Sequence, residues 1–252
     1  MIIKDPQDLE SARKSAKISS KVLKEAFLMA KPGMDTYTLD AFIRRSIESM
    51  GAKPAFLNYD TGEGVYKFSS CISLNHQLVH ALPSKKVILK KGDIVTIDLG
   101  SIYKGIYSDT SYTWELVTKK QERFLNTGKK AVLKAIEQVK EGAHVGDLSF
   151  VMEKIITRAG YTVSVDLVGH GLGKTLHEPP QIPCFGKKGK GPVLEEGQLL
   201  AVEVMYMEGS PELTVGDDGF SLDTKDKSLS AQFEHTLVVT KTGSEVLTSW
   251  PE

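Results

Sequence analysis

The sequence predicts an α+β fold of two pseudo-symmetric halves, each a helix pair followed by β-rich sequence, arranged around a central antiparallel sheet. Three observations predict it. Helical periodicity comes in pairs, first over residues 6–30 and 38–50, then over 121–140 and 146–159. Each pair is followed by strand-like sequence. At an offset of 109 residues, Lys31, Gly33, Leu39, Ile47 and Gly51 match Lys140, Gly142, Leu148, Ile156 and Gly160 in identity and spacing, which reads as an ancient duplication.

The first helix carries Leu9, Ala12, Ala16, Val22, Leu23 and Ala26 at helical spacing, and Pro32-Gly33 stops it. The second places Leu39, Phe42, Ile43 and Ile47 on one face, with Gly51 as its C-terminal stop. Residues 87–117 are β-rich. After Gly142 the helix pattern resumes and closes at Gly160, and strands are expected over 163–168, 199–207 and 232–239. No low-complexity linker divides the halves, so residues 1–252 are read as a single catalytic domain.

With 252 residues, 40% of them hydrophobic, the chain can bury a substantial core. Its 32 basic and 32 acidic side chains cancel, so no global field draws it to DNA or to an anionic membrane. Residues 1–10 hold no apolar run of signal-peptide length, and no stretch reaches the roughly 18 consecutive apolar residues of a membrane span. A cytoplasmic location is expected. The two cysteines, Cys71 and Cys184, lack C-x-x-C spacing and suggest neither a disulfide framework nor a thiolate zinc site.

The segment Asp93-Ile-Val-Thr-Ile-Asp-Leu-Gly-Ser alternates as a strand and places Asp98 among apolar neighbours. A four-residue turn around Tyr103-Lys104-Gly105 would return the chain with residues summing to 207 paired, setting Asp109 opposite Asp98. Directly opposed carboxylates repel unless a cation lies between them. Two divalent metals would resolve the conflict. For an arbitrary pair of strand aspartates the plainer reading is one turn cap and one solvent-facing side chain, and the remaining groups argue against it here.

His170 lies in Val-Gly-His-Gly-Leu-Gly, where the flanking glycines let the backbone approach a ligand or adopt conformations closed to other residues. His177 follows in Leu-His-Glu-Pro-Pro, and His80 ends the apolar stretch Leu-Val-His-Ala-Leu-Pro. His76 and His144 look ordinary. Glu203 is the single acid in Leu-Leu-Ala-Val-Glu-Val-Met-Tyr, and Glu234 repeats the situation in Ala-Gln-Phe-Glu-His-Thr-Leu-Val-Val. A buried acid needs a partner. His235 is available to Glu234, but neither strand contains Lys or Arg, so a metal is the simpler partner. Four acids and one imidazole make an oxygen-rich site suited to manganese, iron, cobalt or zinc.

These residues resemble a known family. The stretches Cys71-Ile-Ser-Leu-Asn, Val79-His-Ala-Leu-Pro, Gly92-Asp-Ile-Val-Thr-Ile-Asp-Leu, Ser108-Asp-Thr-Ser, Gly169-His-Gly-Leu-Gly and Ser228-Leu-Ser-Ala-Gln-Phe-Glu-His-Thr are similar to those of the type I methionine aminopeptidases, bacterial form, of the pita-bread metallopeptidase superfamily. The resemblance implies the pita-bread fold and hydrolytic removal of the initiator methionine from nascent chains whose second residue is small. It implies two divalent ions (Co, Mn, Fe or Zn) held by Asp98, Asp109, His170, Glu203 and Glu234. Glu203 would also shuttle a proton. His80 would act near the leaving amide, and His177 would donate to the oxygen that becomes negative. The implied methionine pocket is Phe56, Tyr59, Tyr66, Cys71, Leu176 and Phe220.

Four departures stand out: Leu176 where a larger aromatic is expected, Phe220 where tryptophan is expected, Val204 in place of proline, and a loop over 60–65 about three residues longer than usual. The first two imply a roomier pocket, the loop bears on the pocket's geometry, and Val204 removes a rigid turn signal but no catalytic group. The competing enzyme reading is a proline-specific peptidase of the same superfamily, whose members usually carry a large extra N-terminal domain. A catalytically dead binding module is the third reading, and such proteins lose ligands. The expected partner is the nascent polypeptide N-terminus, met by a monomer. The basic stretch Lys187-Lys-Gly-Lys190 reads as a solvated mobile loop, with transient ribosomal RNA contact as its second reading.

Overall fold

The computed structural model describes residues 1–62 and 64–251, so Glu63, within the loop expected over 60–65, lies outside the described residues. Helices α1 (Pro6–Met29) and α2 (Thr36–Ser49) form the first pair, and α3 (Glu122–Ile136) and α4 (Val145–Arg158) the second. Their starts follow local chemistry. Asp5 caps α1 ahead of Pro6 by accepting from the Gln7 amide, and Asp35 caps α2 by accepting from the Thr38 amide. The Asp147 carboxylate accepts from the His144 amide at the start of α4. Gly51 and Gly160, just past α2 and α4, take left-handed φ values of 73° and 89°, which a β-carbon would strain.

The first half contributes β1 (Lys53–Pro54), β2 (Ser70–Leu74), β3 (Gln77–Val79), β4 (Ile94–Tyr103) and β5 (Ile106–Glu115). From the second come β6 (Thr162–Val163), β7 (Val168–Gly171), β8 (Glu178–Pro183), β9 (Leu199–Met207), β10 (Leu213–Val215), β11 (Leu222–Thr224), β12 (Ser230–Val239) and β13 (Ser244–Val246). The duplication recurs in the backbone. The Gly33 amide donates to Leu89 O, as the Gly142 amide does to Leu194 O. The pairing Lys53↔Ile102 between β1 and β4 recurs as Thr162↔Met207 between β6 and β9. Helices and short strands therefore repeat at 109 residues and the long strands at 105.

Two ladders carry the halves: β4 lies between β5 on one side and β1 and β2 on the other, while β12 and β9 lead on to β7 and β8. The ladders meet where β5 lies along β12. Threonine side chains join them there. Thr236 Oγ1 accepts from the Asp109 amide and donates to its carbonyl, Thr110 donates to Glu234 O, and Thr113 donates to Gln232 O. The shared sheet is thus continuous in space, and side-chain hydroxyls replace the ladder at its centre.

The β4–β5 hairpin differs from the register predicted above. Tyr103 pairs with Ile106, so Lys104 and Gly105 alone make the turn, with φ of 48° and 79°. Positive φ at both central residues belongs to the type I′ hairpin turn, whose twist suits the strands. Asp98 consequently faces Ser111, and Asp109 faces Gly100. The two aspartates are diagonal neighbours. They still share one face, because a shift of two residues preserves side-chain alternation. No helix among the described residues is long and apolar enough to cross a membrane.

Candidate metal centre

β4, β5, β7, β9 and β12 bring all five predicted ligands to one cavity of about 840 Å³. Asp98, Asp109, His170, Glu203 and Glu234 are each less than 9% exposed. Ligand atoms of Asp109, His170 and Glu234 lie within 4.8 Å of one another. The directly opposed acids inferred for β4 and β5 occur instead in the other ladder, where Glu203 faces Glu234 across β9 and β12. Facing carboxylates repel. No Lys or Arg is among the described residues lining the cavity.

Burial dominates the electrostatics. It pushes Asp98 from its ordinary 3.8 up to about 7 and Glu203 from 4.5 up to about 8, the latter also raised by the nearby Asp98 charge. Asp109 and Glu234 are raised well above the usual carboxylate range, first by burial and then by the neighbouring acids. Asp98 Oδ1, Asp109 Oδ1 and Glu234 Oε2 are buried without any hydrogen-bond partner. Native interiors rarely leave such atoms orphaned. His170 is pushed down to about 3 by burial, so its ring is neutral. Its Nδ1 lies 2.9 Å from Gly171 O and carries the proton. The Nε2 lone pair then faces Asp109 Oδ2 at 3.9 Å, acceptor against acceptor. Orphaned oxygens and opposed lone pairs are groups a divalent cation would satisfy, and the donor set suits a moderately hard ion.

The glycines beside His170 serve the sheet rather than a ligand. A β-carbon on Gly169 would meet Ala201 O at 2.7 Å, and one on Gly171 would meet Pro179 O at 2.2 Å. His235 is no partner for Glu234. Strand alternation turns it to the other face, where Nδ1 lies 2.9 Å from the Thr248 hydroxyl and the ring stacks 4.0 Å from Trp250.

Gln232 was not singled out by sequence. Its side-chain amide donates to Glu203 Oε2 at 2.9 Å and to Asp98 Oδ2 at 3.4 Å, tying the two acids whose charges lie close. It precedes Glu234 by two positions, hence occupies the same strand face, and that spacing was the available signal.

His80 and His177 also line the cavity, both open to it. His80 adopts a left-handed φ of 62°, uncommon for a residue with a β-carbon and often found at functional sites. His177 Nδ1 is 2.6 Å from the Tyr59 hydroxyl, and its ring stands edge-on to His170 with centroids 4.3 Å apart. Burial raises Tyr59 and lowers His177, so the phenol keeps its proton and the imidazole is neutral.

The six expected pocket residues come together. Phe56, Tyr66, Cys71 and Leu176 are buried in one apolar cluster, with Tyr59 and Phe220 packed against it, and all six line the cavity. Tyr66 is fixed by donation to Ser70 O and Ala81 O, and the Phe220 ring meets it edge-on. The lysine stretch 187–190 has exposed side chains on a fastened backbone: the Gly189 amide donates to Asp147, and the Gly146 amide donates to Lys190 O.

The profile of metallopeptidase family M24 matches residues 10–241. Methionine aminopeptidase B of Synechocystis is 36% identical over 251 residues, covering 98% of this chain and 92% of the relative. A methionine aminopeptidase crystal structure from Thermotoga maritima superposes with a TM-score of 0.94 at 36% identity, covering 99% of this chain and all of the other. The prolidase of Pyrococcus furiosus gives a TM-score of 0.79 at 25% identity, and only 65% of that chain is covered.

Proposed function

The chain belongs to metallopeptidase family M24, and from that premise we propose that it works as a metal-dependent methionine aminopeptidase of the type I, bacterial form, hydrolysing the first peptide bond of nascent polypeptides in the cytoplasm. One observation carries the reading. Five buried ligand side chains, three of them with orphaned oxygens, stand beside an apolar pocket whose aromatic and sulfur-bearing lining suits a thioether. Closer likeness to methionine aminopeptidases, at a TM-score of 0.94 and 36% identity against 0.79 and 25% for the prolidase, favours this substrate over Xaa-Pro peptides.

Asp98, Asp109, His170, Glu203 and Glu234 would hold the ions, and we propose two, from among cobalt, manganese, iron and zinc. When bound, such ions supply Lewis acidity that polarises the scissile carbonyl and acidifies a water molecule. Asp98 and Glu203 are kept in register by the Gln232 amide. Phe56, Tyr59, Tyr66, Cys71, Leu176 and Phe220 enclose the methionine side chain and exclude water from it. With the Tyr59 hydroxyl donating to Nδ1, His177 carries its proton on Nε2 and presents that donor to the oxygen that gains charge in the transition state. Its neutral state makes it a hydrogen-bond donor that does not compete with cations. Glu203, deprotonated once it holds a cation, would take a proton from the attacking water and return it to the leaving nitrogen, beside which His80 would act. A free α-amino group, unlike an amide nitrogen, has a lone pair to give to a bound ion, which would confine cleavage to chain termini.

The test is a peptide panel run with a metal titration. Stripped protein should be inactive, regain activity with manganese or cobalt, and cleave Met-Ala-Ser while sparing Xaa-Pro peptides. Robust Xaa-Pro cleavage would move the assignment to the proline-specific branch, and inactivity with every metal would favour a binding module.

A further inference from the structure

Helix α4 has two apolar faces, one buried and one half-buried. Val145, Leu148, Met152 and Ile156 are buried in the core. Phe150, Val151 and Ile155 are half-buried, Ile155 also packing against the core, and they form the floor of an open groove of about 410 Å³ between α3 and α4. Together with Asp147, Lys154 and Arg158 they recur at three- and four-residue spacing, so they make one continuous stripe along the helix. From the opposite wall α3 presents Lys130 and Lys134 one turn apart.

The rim is cationic. Lys130, Lys134, Lys154, Arg158 and Lys188 surround the floor, and Asp147 is the one acid among the described lining residues. Its oxygens accept from the backbone amides of His144 and Gly189. Lys134 is engaged by Glu137. Lys130, Lys154 and Arg158 form no ion pair among the described residues, and Lys154 stands 5.3 Å over the Phe150 ring. In a chain of zero formal net charge this is a local accumulation of one sign over an apolar floor.

The duplication supplies an internal control. Moving back 109 residues from the α4 stripe gives Thr38, Ala41, Phe42, Arg45, Ser46 and Ser49 on α2, which are mostly small and polar. The same helix-pair architecture therefore forms with a single bulky apolar residue, Phe42, and a single cation, Arg45, on this stripe, whereas the second half has three bulky apolar residues and two cations there.

We infer that this groove docks an acidic amphipathic helix of a partner protein, its apolar stripe laid on Phe150, Val151 and Ile155 and its carboxylates facing the lysine and arginine rim. A helix presenting apolar residues at three- and four-residue spacing matches the stripe it would lie on. Opposed charges along both walls set its orientation. A nucleic-acid backbone satisfies the rim but leaves the apolar floor without a counterpart.

The experiment uses the full-length, metal-loaded enzyme and a fluorescent Glu/Leu peptide of about five helical turns with leucine at helical spacing. Saturable binding is expected, weakened about tenfold or more in the double variant Lys154→Glu with Arg158→Glu. A Lys/Leu peptide of the same pattern should bind that variant better than it binds the native protein. Val151→Asp, which keeps every cation, should weaken the acidic peptide as well. Cleavage of Met-Ala-Ser should be unchanged in both variants, because no groove residue lines the metal cavity, and thermal unfolding should stay cooperative. Absence of saturable binding, or equal binding by the charge-reversed protein, overturns the inference. An RNA oligonucleotide that binds as tightly as the acidic peptide and is lost in the same variants also overturns it, in favour of a nucleic-acid surface.

Discussion

Stripping the metal should make this protein's stability fall as pH rises, the reverse of what most native carboxylates do. Most native acids have lowered pKa values and stabilise the fold above them. Here burial raises Asp98 from 3.8 to about 7, so the folded chain binds a proton more tightly than the unfolded one. Stability from such a group is fully present below about pH 4 and is lost as pH climbs through about 7. The shift spans about three units at about 1.4 kcal/mol each, so Asp98 alone accounts for about 4 kcal/mol. In a protein of this size that corresponds to about 10 °C in Tm. Glu203 acts in the same direction up to about pH 8, but it shares a site with Asp98 and the two do not add. The measurement is thermal unfolding of chelator-treated protein at pH 5 and pH 8. The stripped enzyme should melt lower at pH 8, and manganese should restore the difference. Asp98→Asn, neutral at every pH, should lessen the stripped protein's pH dependence without removing it, because Asp109, Glu203 and Glu234 stay raised, and should abolish turnover. A stripped protein whose Tm is constant or rises over this interval, or an Asn variant with the native slope, would refute the account of the site's charges.

His177→Ala should lower kcat by about 10²–10³-fold with metal content intact, as read by steady-state kinetics alongside elemental analysis. Because the four acids are raised, metal binding should release protons, and affinity measured by calorimetry should fall steadily as pH drops below about 7. Gln232→Leu removes the donor shared by Asp98 and Glu203 and should weaken metal binding about 10- to 100-fold, detectable by competition with a fluorescent chelator. Unchanged affinity would show that the amide plays no part in holding the pair.

The helices and long strands were legible because burial writes a period into sequence, and Leu199–Met207 follows the expected strand residue for residue. Register was not legible. Lys104-Gly105 does not advertise a two-residue turn as Asn-Gly would, since lysine seldom adopts the positive φ it has here. The inference survived because the error was an even number of residues, which kept Asp98 and Asp109 on one face. Gln232 was invisible for a different reason. A neutral amide in an apolar strand raises no alarm of the kind a lone carboxylate raises, although its role depends on the carboxylates beside it. The short strands β1 and β6 and the β10–β11 hairpin leave too few residues for periodicity to register.

The duplication also explains how the site came to hold so many acids. With the long strands offset by 105 residues, Asp98 on β4 corresponds to Glu203 on β9. Through the hairpin pairings, Asp109 then corresponds to Gln232, and Ser111 to Glu234. Each half thus presents three inward side chains at equivalent positions: two acids and a hydroxyl from the first, two acids and an amide from the second. Acids from both halves meet because β5 and β12 lie side by side at the centre. The two non-acidic positions differ in consequence. Gln232 donates to an acid from each half, whereas Ser111 Oγ is buried without a partner directly opposite Asp98. Placing a fifth acid at either position would add another like charge to a cavity whose lining holds no Lys or Arg among the described residues. A neutral amide at one and a small hydroxyl at the other keep the site at four carboxylates, whose repulsion the two divalent ions proposed above would neutralise charge for charge.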